Sequence, residues 1–453
     1  MSAELERWLS ASQLHQRLSD ELAQEALPSY LVGGTVRDLL LGRASRDVDL
    51  AVAQDALGIG RRLANRLGGA FVPMDVERDV ARVVLGRGQH SEHIDLTGFR
   101  GSDLAGDLWA RDYTVNAMAI GLSGDERGCL FDPTGGADDL RERRLRLPGP
   151  EAMRDDPLRL LRGLRIAAML EFRMDAQAWS SAQEAVPLLG QVSAERVRDE
   201  FWQILQLEDV AKVLEQAHEL GAFKEVLPSV VWDNTCGPVL ETLARFGAGR
   251  GPLWHALAPD SEALLADAMR PIAGDRIVWP TLMLAGLVGV CSSQAPDACA
   301  RTAATRMALS RRESQLVNRA LDAREGTLLS HQDRPADDLA LHRLFRTNGW
   351  AAVVAALLCG ASASSSNDEQ SNWCMERARQ VVAAWYRRHT QVVAPPQTVT
   401  GADLVRELGI TPGPRVGWTL RAIQEAQVLG VVSDSPQALR YARRCLRNAE
   451  SAE

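Results

Sequence analysis

Two motifs near the N-terminus constrain this chain of 453 residues more than any other feature. Gly33 and Gly34 follow an apolar, strand-like run and precede a helix-like run at residues 36–41. Glycines let the backbone approach a ligand closely, and a helix N-terminus offers unpaired N–H groups to phosphate. Asp47 and Asp49 lie two residues apart in the next strand-like run, so their carboxylates point to one face. The combination predicts a triphosphate beside two Mg²⁺ ions, which take oxygen ligands; the alternative is a glycine turn with two surface aspartates.

Further motifs follow along the chain. They are RDYTVNA at residues 111–117, DPTGG at 132–136, DDPLRLLR at 155–162 and ERVRDE at 195–200. In this order, they resemble the motifs of the class II tRNA nucleotidyltransferase and bacterial poly(A) polymerase family, within the DNA polymerase β-like superfamily. The resemblance is dense over residues 28–205 and returns in GADLVRELGITPGPRVG at 401–417.

The resemblance implies an α+β chain, in which a nucleotidyltransferase head with a mixed sheet is followed by all-helical neck, body and tail domains. We predict a catalytic head at residues 1–147, a base-recognition neck at 148–205, a body at 206–395 and an RNA-binding tail at 396–453. Apolar patterning in the head predicts strands at 30–32, 48–52, 69–73, 80–85, 93–96 and 117–122, and helices within 1–27 and at 56–67. Residues 362–371 and 392–399 are predicted to be loop and linker.

The resemblance also implies a set of site residues. Asp47 and Asp49 are the expected catalytic metal ligands, and Asp95 stands where the superfamily has a third carboxylate on an adjacent strand. The implied reaction is attack of an RNA 3′-hydroxyl on the α-phosphate of a nucleoside triphosphate, assisted by two metal ions. The expected nucleotide-binding residues are Gly33, Gly34, Arg37, Arg111, Asp112, Asn116, Asp156, Arg159, Arg162 and Arg165.

Base selection can be argued from the chemistry of two of these residues. Asp156 and Arg159 are three residues apart, which predicts that they share one helix face. The carboxylate can accept from the exocyclic amine of cytosine or adenine, whereas uracil and guanine present a carbonyl oxygen there. Each such polar match is worth about 1–3 kcal/mol of discrimination. The pair predicts use of CTP, leaves ATP open and disfavours UTP and GTP; the alternative is a helix stabilised by i,i+3 ion pairs.

Three features depart from the family pattern. Ala110 stands where the family usually has an arginine, and Asp155 replaces the usual glutamate. Only ten residues, GSDLAGDLWA, separate Arg100 from Arg111, whereas relatives that add the terminal A have a longer flexible loop there. Relatives that add only CC lack that loop, so the short spacing favours CC addition.

Composition narrows the class of protein further. The net charge is −8, but RNA responds to local fields, and arginines cluster at residues 141–146, 154–165 and 440–447. The seven cysteines include no CxxC pair, which argues against a disulfide framework or a zinc site and suits a reducing cytoplasm. No run approaches the ~18 apolar residues of a membrane span, and the start, MSAELERW, lacks the layout of a signal peptide.

The sequence therefore predicts a cytoplasmic enzyme that transfers CMP, with AMP left open, to the 3′-hydroxyl of tRNA. Its expected partners are the tRNA acceptor arm, CTP and Mg²⁺, with no membrane. A full CCA-adding enzyme is the nearest alternative, and a poly(A) polymerase is disfavoured because the chain ends in NAESAE rather than in a basic extension. A catalytically silent RNA-binding protein is disfavoured because Asp47, Asp49, Arg37 and Arg111 are all present.

Overall fold

The structure, a computed structural model, describes residues 3–25, 28–44, 47–86, 91–291, 295–324, 337–364 and 369–450. The chain forms two compact units, Met1–Val192 and Ser193–Glu453. The first unit contains a seven-stranded sheet and the second is almost wholly helical. This division confirms the predicted α+β class.

The sheet of the first unit is mixed, as predicted. Its strand order is β3-β4-β5-β2-β1-β6-β7, and β2 and β5 run parallel while the other neighbours are antiparallel. All six predicted strands are present, and β7 is a short addition that the sequence analysis did not predict. The strands are β1 Ser29–Val32, β2 Asp47–Val52, β3 Ala70–Asp75, β4 Val80–Leu85, β5 Glu92–Gly98, β6 Ala119–Gly121 and β7 Leu130–Phe131.

Helices surround this sheet. The helix predicted at 56–67 is confirmed as α4, whereas the one predicted at 36–41 begins earlier, at Gly33. The N-terminal helical region is split at Ser12, whose hydroxyl accepts from the N–H of His15 and caps the second helix. The helices are α1 Ala3–Ala11, α2 Gln13–Leu22, α3 Gly33–Leu40, α4 Ala56–Leu67, α5 Leu104–Trp109, α6 Gly136–Arg141, α7 Ala152–Asp155, α8 Arg159–Leu170 and α9 Ala176–Ala185.

The two faces of the sheet differ. One face is covered by α4, where a side chain at Gly60 would lie 3.0 Å from the Cβ of Ala81 and 3.6 Å from Leu96, so the helix packs closely on the strands. On the opposite face, Leu108 of α5 packs with Tyr30 and Ala51. The alternation of side chains along β2 puts its aspartates on this second face, next to the region that α5 covers.

The second unit consists of helices and one small ribbon. The helices are α10 Ala194–Ile204, α11 Val210–Leu220, α12 Phe223–Val226, α13 Cys236–Gly247, α14 Pro252–Ala256, α15 Ser261–Ala268, α16 Val278–Val290, α17 Pro296–Arg306, α18 Arg311–Ala323, α19 Asp338–Asn348, α20 Ala351–Ala363, α21 Glu369–Arg387, α22 Gly401–Leu408, α23 Pro414–Val428 and α24 Ser435–Glu450. The sequence did not predict two short ribbons. In the first unit, β8 Arg144–Leu145 pairs with β9 Arg173–Met174, and in the second unit β10 Pro271–Ala273 pairs with β11 Arg276–Ile277. The last three helices share their own apolar core around Leu404, Ile423 and Ala442.

The apolar helices of this unit are core elements. α16 and α20 are buried along almost their whole length. Among the described residues, no single helix is both long and apolar enough to cross a bilayer; α19 and α20 pass that test only as a pair, bent by 112°.

One expectation for this unit is narrowed and another is wrong. Helices take both ends of the predicted loop at 362–371, because α20 runs to Ala363 and α21 begins at Glu369. Ser364 is a turn after α20, and residues 365–368 lie outside the described part. A disulfide joins Cys236 and Cys291, although the sequence analysis predicted none. The two cysteines are 55 residues apart and meet through the packing of α13 and α16, which cysteine spacing does not reveal.

One glycine of the first unit provides a test of its packing. Tyr113 is fully buried and its hydroxyl donates to the carbonyl oxygen of Arg159 at 2.8 Å. A Cβ at Gly163 would lie 1.9 Å from that hydroxyl. We therefore expect Gly163→Ala to destabilise α8 by about 1–3 kcal/mol, as overpacking does, measured by amide hydrogen exchange of the helix.

The matched control is Gly417→Ala in α23, where the added methyl meets nothing within 4 Å. There, alanine is expected to stabilise the local helix by about 0.5–1 kcal/mol. Equal effects of the two substitutions would contradict the packing described for Tyr113.

Candidate nucleotide and metal site

Three carboxylates lie on two adjacent strands near the centre of the sheet. Asp47 and Asp49 lie on β2, and the parallel pairing of β2 with β5 sets Asp49 directly beside Asp95. The side chain of Asp47 is 66 % exposed and lies 3.5 Å from Nδ1 of His93. Burial and the charges of Asp95 and Asp47 raise the pKa of Asp49, while Arg111 opposes that shift. Carboxylate oxygens are the ligands that hard divalent cations take, so neighbouring carboxylates that repel one another are candidate donors for such a cation.

Thr35 holds the strand of Asp47 and Asp49 in position. Its hydroxyl accepts from the N–H of Asp49 at 2.8 Å and donates to the carbonyl oxygen of Asp47 at 3.3 Å. Thr35 is itself buried in the first turn of α3. The sequence analysis assigned this residue of the glycine motif no role, because the hydrogen bond depends on where α3 packs against β2.

The two glycines form a cleft next to Asp49. Gly33 has a φ of +65°, a conformation that side chains disfavour. A Cβ at Gly33 would lie 3.1 Å from Nη1 of Arg111 and 3.3 Å from Oδ2 of Asp49. At Gly34 the nearest atom would be Nη2 of Arg37, at 3.4 Å. The cleft therefore brings backbone, a carboxylate and two guanidinium groups together at the start of a helix, as a triphosphate site requires.

Asp95 lies where the sequence predicted a third carboxylate, but it already has a partner. Arg82 on β4 donates from Nε to Oδ1 at 2.7 Å and from Nη2 to Oδ2 at 2.8 Å. The hydrogen bond with Asp95 raises the pKa of Arg82. The role of Asp95 as a metal ligand remains a prediction. To bind a metal ion, Asp95 would have to share its carboxylate oxygens with Arg82.

A chain of polar contacts runs from the glycine motif to α8. Arg37 donates to both oxygens of Asp38 and, from Nη1, to Oδ1 of Asn116 at 2.9 Å. Asn116 in turn donates to Oδ1 of Asp112 at 3.1 Å, and Arg162 contacts Oδ2 of Asp112 at 2.8 Å. The structure thus joins four of the predicted nucleotide-binding residues in one network.

Asp112 is the acidic centre of that network. Burial acts to raise its pKa, but the charge of Arg162 and hydrogen bonds from Asn116 and from the N–H of Tyr113 outweigh it, so the net shift is downward. Asp112 therefore stays ionised and orients Arg162. Contact of Asp112 itself with the nucleotide stays a prediction.

The predicted base-reading pair, Asp156 and Arg159, is arranged differently from the prediction. Asp156 follows the end of α7 with an extended backbone, φ −147° and ψ 96°, and α8 begins only at Arg159. The two residues therefore do not share a helix face. The reason is Pro157, because proline disfavours a helical conformation in the residue before it. Oδ1 of Asp156 accepts from the N–H of Leu158 at 3.3 Å.

Arg159 is 8 % exposed and is held by backbone carbonyls. Its Nη1 donates to Ala152 at 3.1 Å and its Nη2 to Ala110 at 2.7 Å. Arg165 lies about one turn beyond Arg162 on α8, where its Nη1 contacts Sδ of Met169 at 3.3 Å. The structure thus ties Arg159 to the segment before Arg111 and places Arg165 further along the helix.

Comparison with known proteins identifies the family of this chain. The model of the poly A polymerase head domain matches residues 29–146, and the model described as a probable RNA and SrmB-binding site of polymerase A matches residues 171–232. A CC-adding tRNA nucleotidyltransferase from Geobacter sulfurreducens is 31% identical over 429 residues, which cover 91% of each chain. An A-adding tRNA nucleotidyltransferase from Deinococcus radiodurans is 31% identical over 434 residues, or 91% of this chain and 94% of that one.

A solved structure of a CCA-adding enzyme with CTP has the same fold. It superposes with a TM-score of 0.71 at 22% identity and covers 98% of this chain and 97% of that one. The agreement extends over nearly the whole length of both chains. The present chain therefore belongs to the tRNA nucleotidyltransferase family and is an RNA nucleotidyltransferase.

Proposed function

We propose that this enzyme adds CMP to the 3′ end of tRNA without a nucleic-acid template and stops after CC. The observation that carries the proposal is the segment of ten residues between Arg100 and Arg111. Similarity alone does not choose the product, because a CC-adding and an A-adding relative are equally identical to this chain. The choice therefore rests on what this segment does to the base pocket.

The segment folds as a short, well-anchored helix. Asp103 caps α5 by accepting from the N–H of Gly106 at 2.8 Å. A Cβ at Gly101 would lie 3.2 Å from the backbone of Gly106, so the start of the segment lies against its helix. Its last residue, Ala110, binds Arg159 through the carbonyl oxygen. A base-reading arginine attached to so compact a segment has little freedom to move for a larger purine.

Base recognition follows from the groups around Arg159. The guanidinium is oriented by two carbonyl oxygens, and Asp156 lies three residues earlier, just before the same helix. We propose that Arg159 donates to the ring edge of cytosine while Asp156 accepts from its amine. A carbonyl oxygen in place of that amine, as in uracil, would face the carboxylate unfavourably. Adenine offers the same amine, so ATP is excluded by the shape of the pocket rather than by its polarity.

We propose that Gly33, Gly34, Arg37 and Arg111 bind the triphosphate. Nucleotidyltransferases of this family use divalent metal ions, and we propose Mg²⁺ held by Asp47 and Asp49, with Asp95 as a further candidate. The donor set fits, because these are oxygen ligands whose mutual repulsion a cation relieves. When bound, such ions lower the pKa of the attacking hydroxyl and neutralise the leaving pyrophosphate. The chain itself supplies the arginines that hold the phosphates and Thr35, which keeps Asp47 and Asp49 in register.

The tail provides a surface suited to an RNA backbone. On α24, four exposed arginines recur at the spacing of one helix face; they are Arg440, Arg443, Arg444 and Arg447. The last three helices share an apolar core of their own, which supports the proposed tail from about residue 396. We propose that this face binds the tRNA by its phosphates in the cytoplasm, since A-form RNA is recognised by shape and backbone charge.

The metal assignment is tested by Asp47→Asn and Asp49→Asn. Each variant keeps the size of the side chain but removes a charged ligand, so transfer is expected to fall by about 10³-fold or more, the several kcal/mol that metal ions supply. The measurement is transfer of labelled CMP to tRNA that lacks its 3′ end. The control is Asp55→Asn, an exposed carboxylate of the same unit with a φ of 61° that asparagine tolerates. Wild-type turnover in either of the first two variants would refute the assignment.

The product is tested by supplying CTP and ATP together and sequencing the extended tRNA. We expect chains that end in CC, with no further growth, because the segment 100–111 holds Arg159 in one position. The control reaction starts from tRNA that already ends in CC, with ATP alone, and is expected to give no product. Efficient formation of CCA would show that the pocket accepts adenine and would identify a full CCA-adding enzyme.

RNA binding by the tail is tested by the double variant Arg440→Gln/Arg444→Gln. Each arginine–phosphate pair that is removed should make the slope of log K against log salt concentration shallower by about 0.7–0.9, so the double variant is expected to change the slope by about 1.5. The control is Arg245→Gln/Arg379→Gln, which removes two exposed arginines that pair with glutamates on their own helices. Identical slopes for the two double variants would exclude α24 from the RNA surface.

A further inference from the structure

Asp107 is a buried carboxylate with no role in the site described so far. It lies in α5, with a side chain that is 1 % exposed. Its Oδ2 accepts from Nε of Arg111 at 3.0 Å and from Nη2 of Arg111 at 2.8 Å. Its Oδ1 accepts from the backbone N–H of Arg100 at 3.2 Å. Two of these hydrogen bonds go to Arg111 and one goes to Arg100, so Asp107 joins the two ends of the short segment.

These hydrogen bonds determine which edge of Arg111 faces the cleft. The guanidinium is planar and presents its donors in a rigid fork. Asp107 occupies Nε and Nη2, so Nη1 is left on the opposite side. That atom lies 3.1 Å from the position that a Cβ at Gly33 would take, beside Asp49. Within the described part of the chain, Nη1 has no hydrogen-bond partner, so a donor is directed into a cleft that glycine keeps open.

Asp107 also lies beside a second arginine, Arg100, at the other end of the segment. Partial desolvation and repulsion from Arg111 lower the pKa of Arg100. Asp107 lies between them in the network and its charge opposes this repulsion. Buried ion pairs add little net stability because desolvation offsets their attraction. The pair is therefore better explained by orientation than by stability.

We propose that Asp107 is a positioning residue for nucleotidyl transfer, which holds Arg111 so that its Nη1 donates to the triphosphate of the incoming nucleotide. The proposal rests on the proposed function of the cleft at Gly33 and Asp49. Asp107 itself touches no substrate and acts through Arg111. The competing role would act through Ala110, whose carbonyl binds Arg159, and it would affect base choice instead. The two roles give opposite results in the experiment below.

The experiment uses inorganic tripolyphosphate, a probe that carries phosphates but no base, as an inhibitor of CMP transfer. In Asp107→Asn the neutral amide can no longer hold both donors of Arg111 by charge. We expect the inhibition constant of tripolyphosphate and the KM for CTP to rise together by about 10–100-fold, the range found when a hydrogen-bonding partner that orients a metal ligand is removed. The preference for CTP over UTP is expected to stay unchanged. A loss of that preference with unchanged tripolyphosphate inhibition would overturn the proposal in favour of the role through Ala110.

The matched control is Asp103→Asn in the same segment, an exposed cap of α5 that does not contact Arg111. It is expected to leave tripolyphosphate inhibition within about twofold of the wild type. If Asp107→Asn fails to fold, Asp107→Glu keeps the charge but displaces it by one methylene. This variant is expected to weaken tripolyphosphate inhibition less than Asp107→Asn would. If tripolyphosphate inhibited the Asp107→Glu enzyme as strongly as the wild type, that result would count against the proposal.

A double-mutant cycle shows whether Asp107 acts through Arg111. In the Arg111→Gln background, Asp107→Asn is expected to change kcat/KM by no more than about twofold, because residues that act as a unit are not additive. Full additivity of the two effects would overturn the proposal. Tripolyphosphate lacks a base, so its inhibition does not depend on which nucleotide the enzyme adds. Formation of CCA by the wild-type enzyme would therefore contradict the proposed product without changing what this test says about Asp107.

Discussion

The parallel pairing of β2 with β5 is the interaction on which the rest of the site depends. It places Asp49 beside Asp95 on the face of the sheet that α4 does not cover. Carboxylates so close together repel one another, and burial adds to the cost, which raises the pKa of Asp49. The protein meets this cost with fixed donors from other elements. Thr35 ties the strand to α3, and Arg111 places positive charge against Asp49.

A common principle governs the arginines around this centre. Each is oriented by acceptors of the protein itself: Asp38 for Arg37, Asp107 for Arg111, Asp112 for Arg162 and two carbonyl oxygens for Arg159. A guanidinium that is already oriented loses little entropy when it binds a phosphate or a base. The same hydrogen bonds restrict its movement, which links the tight packing of α5 to the proposed selectivity for one base.

Some errors of the sequence analysis have local causes and some have distant ones. Pro157 was visible in the sequence, and its effect on Asp156 follows from steric hindrance with the preceding residue. The wrong prediction that Asp156 and Arg159 share a helix face was therefore avoidable. The disulfide between Cys236 and Cys291 was not, because it depends on how α13 and α16 pack. The prediction for residues 362–371 has causes of both kinds. Serines favour loops locally, but the buried faces of α20 and α21 extend the helices into both ends of this range.

The sequence by itself determined the features that depend on near neighbours along the chain. The alternation of a strand puts Asp47 and Asp49 on one face, and glycine adopts the φ of +65° at Gly33 without the strain that a side chain would add. Tertiary structure alone decided which partners those groups meet. Arg82 binds Asp95 across two strands, and Asp107 selects the edge of Arg111 that faces the cleft. Such interactions arise from the packing of whole elements, whose positions depend on many weak apolar interactions that no short motif records.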